Sequence, residues 1–132
     1  MIDMETVKIR CKSLCVADWV ANRNGSPMQI VAVDEDNAYA WTGNEERPWI
    51  FGDNEGYEPQ PIILTPEILE KNGWWYDGYD IWQHKGVSFC IEKLNERFRC
   101  YDINQIKLDS VHQLQQILRL CGLNELADNF KI

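Results

Sequence analysis

The residues best suited to nucleophilic chemistry in this chain are its two histidines and five cysteines. Either His84 or His112 could act as a base for a thiolate if the fold brought it beside Cys90 or Cys100. Nothing in their spacing requires such a pair, and a histidine beside a glutamine at a helix start is typical of a hydrogen-bonded structural residue. We therefore predict no catalytic residue, and the sequence favours a protein that is not an enzyme.

The potential metal ligands do not match a known ion-binding pattern. Cys11 and Cys15 are four positions apart, and no second closely spaced Cys/His pair completes a zinc site. Asp34 and Asp36 have the opening spacing of a calcium loop, but Tyr39 stands where that loop needs glycine. The stretch "DEDN" is therefore predicted to be a hairpin turn, and we expect neither a metal ion nor an organic cofactor.

The composition is that of a folded protein. Of the 132 residues, 45% are hydrophobic and six are tryptophan, which excludes a disordered chain. This length suits one ordinary domain, or two halves that share a core. No run approaches the roughly 20 apolar residues of a membrane span, and the N-terminus lacks the apolar core of a signal peptide. We therefore expect a cytoplasmic protein without membrane association, in which the cysteines are reduced.

The net charge of −8 is concentrated in the first half. Between Asp34 and Glu58 there are eight acidic residues and one basic residue, Arg47. Such a region repels phosphate backbones, which argues against direct nucleic-acid binding. A strongly acidic surface can instead imitate nucleic acid, so an acidic nucleic-acid mimic is one alternative function.

Short strand-like segments separated by turns make up the first half. The candidate strands are "ETVKIRCKSL", "DWVAN", "MQIVAV", "AYAWTG", "WIF" and "PIIL", with turns at "RNGSP" and "DEDN". Several short strands with frequent turns indicate a small closed or nearly closed barrel. The pattern resembles an SH3-like barrel.

A short helix with clear start and stop signals follows, in "PIILTPEILEKNGWW". Thr65 can cap it, Pro66 suits its first position, and Gly73 can close it in the left-handed conformation. About seven residues of helix are not stable alone, so we interpret this segment as a connector that fixes how the two halves meet.

The second half is predicted to be a meander followed by a helix. Its candidate strands are "YDIWQHK", "VSFCIEK" and "FRCYDI". In "SVHQLQQILRLCG", Ser110 and Gln113 have capping-box spacing and Gly122 is the terminator. We therefore predict an α+β fold: an SH3-like barrel half (residues 1–64), a connecting helix (65–73), and a β-meander packed by one C-terminal helix (74–132), with both halves forming one unit.

The connector motif and, about 35 residues later, "VHQLQQILRLCG" resemble those of a group of short uncharacterised proteins from gut-bacterial genomes, prophages and mobile elements. The resemblance covers the order of parts along most of the chain. It implies this architecture and a mobile-element setting, but no activity and no functional residue. The longer acidic loop from Asn44 to Pro59 departs from the shorter relatives.

That loop, "NEERPWIFGDNEGYEPQ", is the first candidate binding site. Aromatic anchors with a negative rim suit recognition of a protein surface, which favours a non-catalytic interaction or accessory module with a protein partner. The alternative is that the aromatic residues fold inward to complete a small core. The candidate partner-binding residues are Trp49, Phe51, Asp53, Glu55 and Tyr57.

The second candidate site is a pocket at the seam between the halves, for a small ligand or a substrate. Its aromatic walls would come from "WWYDGYDIW", and a histidine would supply the polar group. The candidate residues are Trp74, Trp75, Tyr79, Trp82, His84 and His112. The sequence does not define an oligomeric state.

Overall fold

The computed structural model describes residues 9–41, 47–101 and 106–132. The chain divides into two compact units, Met1–Ile62 and Ile63–Ile132. Each unit contains one four-stranded antiparallel sheet. Together with the described helices, these sheets make the protein a member of the α+β class. The predicted strand segment at 5–8, the loop residues 44–46 and the strand end at 102–103 lie outside the described residues.

The first unit is a half-barrel built on a meander with the strand order β1-β2-β3-β4. Its strands alternate between inward apolar residues and outward residues, which is the pattern of a sheet with one face on a core. A 3-10 helix, Cys11–Ser13, precedes the strands. The strands are β1 Trp19–Ala21, β2 Pro27–Val33, β3 Asn37–Trp41 and β4 Trp49–Gly52.

A bulge in β2 keeps its apolar residues on the core face. Ile30 pairs with Ala40 and Ala32 pairs with Tyr39, so Val31 is the extra residue and is exposed. After this insertion Val33 again packs against the core. The core contains Ile9, Cys11, Leu14, Val20, Met28, Ile30, Ala38, Ala40 and Phe51.

The "DEDN" stretch is a hairpin turn between β2 and β3, as predicted. The Asp34 carboxylate accepts hydrogen bonds from the backbone N–H groups of Asp36 and Asn37 and from the Tyr39 hydroxyl. These hydrogen bonds lower the pKa of Asp34, and the bond from Tyr39 has the largest effect. The carboxylate is therefore occupied in forming the turn.

The chain after β4 turns back and pairs with β1. Ala21 and Gln60 form an antiparallel bridge with two backbone hydrogen bonds of 2.8 Å. Within the intervening loop, the Gly52 N–H donates to the Tyr57 carbonyl and the Tyr57 N–H donates to the Asn54 carbonyl. Gln60 therefore lies beside the end of β1, and Tyr57 lies beside the end of β4.

The second unit contains the other meander, with the order β5-β6-β7-β8. Trp82 pairs with Ile91, and Ile91 pairs with Cys100, which gives a buried row across three strands. Glu92 and Arg99 form a cross-strand ion pair. The strands are β5 Trp74–Tyr76, β6 Ile81–His84, β7 Ile91–Leu94 and β8 Arg97–Cys100.

The short helix, α1 Pro66–Lys71, begins and ends as predicted. Thr65 Oγ1 accepts a hydrogen bond from the Ile68 N–H, and Gly73 has a φ of +86°. This helix belongs to the second unit. There the Asn72 side chain makes hydrogen bonds of 2.7 Å to both the N–H and the carbonyl of Lys131.

The long helix, α2 Val111–Leu120, is also confirmed. Ser110 and Gln113 form the predicted capping box, and Gly122 has a φ of +79°. A further helix, α3 Asn124–Asp128, packs on α2, and the Gln115 amide donates to the Ala127 carbonyl. None of the helices in the described parts of the chain is long and apolar enough to cross a membrane.

Three predicted strands differ from the structure. The described part of the first, residues 9–14, forms no strand and contains the 3-10 helix Cys11–Ser13. Residues 61–64 contribute one isolated bridge, between Ile63 and Ser110, because the chain is already turning into α1. The strand predicted at 87–93 is formed only from Ile91 onward, as β7. Its first residues bend, with Phe89 buried, and the Cys90 carbonyl accepts a hydrogen bond from the Tyr101 N–H. The prediction also missed β5, whose residues read as an aromatic run without period-2 alternation.

Candidate functional site

An open pocket of about 180 Å³ lies in the first unit, where the loop after β4 pairs back on β1. Arg23 lies in the turn after β1, close to Tyr57. Glu58, two residues before Gln60, lines the same pocket. Trp49, on β4, forms another wall. We call this the Trp49 pocket; it is lined by Arg23, Trp49, Ile50, Phe51, Gly56, Tyr57 and Glu58.

A rigid turn holds the cation of the Trp49 pocket. The buried Asn22 side chain accepts hydrogen bonds from the N–H groups of Asn24 and Ser26, and this fixes the loop that carries Arg23. The Arg23 guanidinium carbon is 5.9 Å from the centre of the Trp49 ring and 5.5 Å from that of Tyr57. Both distances are in the range of cation–π attraction.

A carboxylate in the same pocket lacks a hydrogen-bond donor. Glu58 Oε2 is inaccessible to solvent and has no hydrogen-bond partner among the described residues. Ion pairs within 4.0 Å in the described chain likewise do not include Arg23. A buried acceptor without a donor raises the free energy of the folded protein. A ligand that donates a hydrogen bond to this oxygen would remove that cost.

Asp53, at the start of the loop, is committed to the fold. Its Oδ1 accepts a 2.9 Å hydrogen bond from the Cys11 N–H, and this bond is the main cause of its lowered pKa. Burial, together with the hydrogen bond to Asp53 and its charge, raises the pKa of the Cys11 thiol to about 11. Cys11 is therefore a protonated thiol at neutral pH and unsuited to nucleophilic attack.

The structure separates the five candidate partner-binding residues. Phe51 is buried in the core, whereas Trp49 is half-buried at its margin, with ring centres 6.5 Å apart. Tyr57 is 59% exposed, and Glu55 is exposed outside the pocket lining. Of the five, Trp49, Phe51 and Tyr57 line one pocket, while Asp53 and Glu55 do not.

The second unit has a groove of about 340 Å³, which we call the His84 groove. Trp74 and His84 are in edge contact, with ring centres 5.3 Å apart. The Gly86 N–H donates to His84 Nδ1, so the proton of the neutral ring is on Nε2. The lining residues are Lys71, Asn72, Trp74, His84, Val87, Leu118, Glu125, Leu126, Asn129, Phe130 and Lys131.

The other candidate seam residues do not line this groove. Trp82 is buried and stacks near Tyr76, while Trp75 and Tyr79 are exposed. His112 is buried, and its Nδ1 is 3.1 Å from the Ser110 hydroxyl. All six candidate seam residues belong to the second unit, and the structure joins two of them, Trp74 and His84, in one groove.

Metal-binding chemistry is not indicated by the described residues. Across residues 9–41, 47–101 and 106–132, the His, Cys, Asp and Glu side chains form no cluster of three or more that could hold an ion. Of the cysteines, Cys11 and Cys100 are buried, Cys15 and Cys90 are half-buried and Cys121 is exposed.

Arg23 was not among the predicted site residues, and Glu58 was predicted only as part of an acidic rim. The closure of residue 60 onto residue 21 brings them together, and no local pattern encodes this pairing. One signal was present: Arg23 is the only basic residue between Ser13 and Glu46. A lone cation in an acidic segment rich in aromatic residues is a candidate for an aromatic contact.

Comparisons of the chain with protein-family models, with curated proteins and with solved structures give no match. The function is therefore inferred from the geometry of the two sites.

Proposed function

We propose that this protein is a non-catalytic interaction module that binds a protein partner through the Trp49 pocket. The observation that carries the proposal is the open aromatic pocket itself, with Tyr57 more than half exposed beside the half-buried Trp49. Aromatic residues at the margin of a pocket are typical binding anchors, because they bury large areas with little loss of side-chain freedom.

The wider setting is proposed from the sequence resemblance. The first unit would be an SH3-like barrel half, and the protein an accessory or regulatory component of a prophage or mobile element that acts in the cytoplasm. The bulged meander and the bridge between Ala21 and Gln60 support the barrel part of this proposal.

The test is a tagged pull-down from a nuclease-treated host lysate with matched variants. Tyr57→Ala removes one wall of the pocket, and Tyr79→Ala removes an 84% exposed tyrosine from the second unit. We expect a stoichiometric protein that is captured by the wild type and by Tyr79→Ala, with at least tenfold less captured by Tyr57→Ala. Equal capture by both variants, or no captured protein, would contradict the proposal.

A second candidate function is small-ligand binding in the His84 groove, favoured by the oriented Nε2 donor beside Trp74. Here the decisive variant is His84→Gln, which keeps a polar side chain but changes the donor position. Loss of a small ligand in this variant, with protein capture unaffected by Tyr57→Ala, would favour this function over the first.

A further inference from the structure

We infer that the occupant of the Trp49 pocket is the guanidinium or ammonium group of a partner's basic side chain, and that Arg23 holds its place in the free protein. This inference rests on the proposed function and adds the chemistry of the recognised group. It follows from three features of the pocket: the two rings, the Glu58 carboxylate and the surrounding charge.

The rings already accept a cation. The Arg23 guanidinium lies within 6 Å of the centres of both Trp49 and Tyr57, so their spacing suits a flat cationic group. The contact can exchange because the Arg23 side chain is exposed, whereas the hydrogen bonds of Asn22 hold only the backbone of its turn. A partner arginine can therefore take the same position while the Arg23 side chain moves into solvent.

The carboxylate explains why a partner's cation would be preferred. Glu58 Oε2 is buried in the lining and lacks a donor among the described residues, and Arg23 does not pair with it there. Because Glu58 Oε2 is closed to solvent while Arg23 occupies the pocket, a guanidinium would reach it only once Arg23 has moved out. It would then bring five N–H donors in a planar fork to the rings and the carboxylate. Occupation then satisfies an acceptor that has no partner within the described parts of the free chain.

The surrounding charge has the matching sign. The described residues of the first unit include seven acidic and four basic side chains. This excess attracts a basic segment and opposes an acidic one. A carboxylate ligand for Arg23 would have to approach Glu58 against this field, so the anionic alternative is disfavoured.

The experiment uses the whole chain and small probes of defined charge. The tryptophan side chains are labelled with fluorine, and the Trp49 signal is assigned by its absence from Trp49→Phe. Nα-acetyl-arginine amide is titrated in parallel with the citrulline analogue, which has nearly the same shape but no charge. We expect a saturable shift of the Trp49 signal with the arginine probe and at least tenfold weaker binding of the citrulline probe.

Two conservative variants distinguish the roles of the pocket residues. Glu58→Gln removes the carboxylate charge and should weaken the arginine probe about tenfold or more. Arg23→Gln removes the internal competitor and should strengthen binding by about threefold to tenfold. Circular dichroism of each variant checks that the fold is retained, and Glu55→Gln, outside the pocket lining, is the matched control for loss of one acidic residue.

Three results would overturn the inference. Equal binding of the citrulline probe would show that charge is not recognised. Tighter binding of an Nα-acetyl-glutamate probe, lost in Arg23→Gln, would make Arg23 the receptor for an anion. No binding of any probe, together with Tyr57-dependent capture of a protein, would reject the cationic occupant and leave the interaction module standing. If that capture also fails, the proposed function falls with it.

Discussion

The two sheets have the same number of strands in the same order, but they use their aromatic residues differently. In the first unit, Trp49 and Tyr57 flank an open pocket together with a cation. In the second unit, Trp74 and Trp82 are buried, and Trp74 borders a groove that Leu118 of α2 also lines. A helix with a buried apolar stripe contributes to the second core, whereas the first sheet has a loop that folds back on its own edge.

The polar groups of the two sites differ in the same way. The His84 ring fits between Gly73 and Gly86, and its Nδ1 accepts the Gly86 N–H, so it is held by its neighbours. In the Trp49 pocket, the Glu58 oxygen is buried and has no donor among the residues that the structure describes. Both sites place an aromatic residue beside a polar one, so residue types alone do not distinguish them. The difference lies in whether the polar atom already has a hydrogen-bond partner, and this is the better guide to which site binds a ligand.

The largest predicted effect is on stability and concerns two adjacent residues of β4, the buried Phe51 and the exposed Ile50. Phe51→Ala should lower the free energy of unfolding by about 3–5 kcal/mol, because a fully buried ring leaves a cavity. Ile50→Ala, on the adjacent residue with 54% exposure, should cost less than about 1 kcal/mol. Denaturant unfolding followed by circular dichroism measures both values, and similar losses would remove the distinction between the two faces of β4.

The next largest predicted effect is on stability and concerns the two glycines that end α1 and α2. Comparing them distinguishes the packing around His84 from the backbone conformation that a helix end requires. Gly73 and Gly122 follow α1 and α2 and have φ values of +86° and +79°. A Cβ at Gly73 would lie 2.9 Å from His84 Nε2, whereas at Gly122 it would meet no atom within 4 Å. Gly73→Ala should cost about 2–4 kcal/mol, from backbone strain and overlap together, and Gly122→Ala about 1–2 kcal/mol from strain alone.

The combination with His84→Ala makes that comparison decisive. Removal of the imidazole should bring the cost of Gly73→Ala down to that of Gly122→Ala, since only backbone strain then remains. If the two glycine variants already cost the same in the wild type, His84 is not held by Gly73, and the His84 groove is looser than its geometry indicates.

Local signals predicted much of this fold. The caps of α1 and α2 and the turn at Asp34 were predicted because hydroxyl, carboxylate and glycine groups act on backbone a few residues away. Three residues of the Trp49 pocket were named as candidates from their sequence, but the part played by Arg23 and Glu58 was not predicted, because it depends on the pairing of Ala21 with Gln60, which are 39 residues apart. The burial of Phe51 beside the exposed Ile50 follows from strand alternation once β4 is known.

The alkaline stability of the first unit should depend on Cys11. The folded state raises the pKa of this thiol from 9.0 to about 11, so it binds the proton more tightly than the unfolded chain does. The stabilising contribution is therefore complete below pH 9 and is lost as the pH rises from 9 to about 11. Denaturant unfolding at several values of pH in this range should show falling stability, with a shallower slope in Cys11→Ala.

Tyr39→Phe is the control for that prediction. The hydrogen bond from the Tyr39 hydroxyl to Asp34 raises the pKa of Tyr39 itself, so this second group in the first unit also titrates at alkaline pH. Tyr39 is half-buried and Cys11 is completely buried, so we expect Cys11→Ala to flatten the slope more. If Tyr39→Phe flattens it more, the turn at Asp34 limits alkaline stability instead. If neither variant changes the slope, the group that limits alkaline stability is neither Cys11 nor Tyr39.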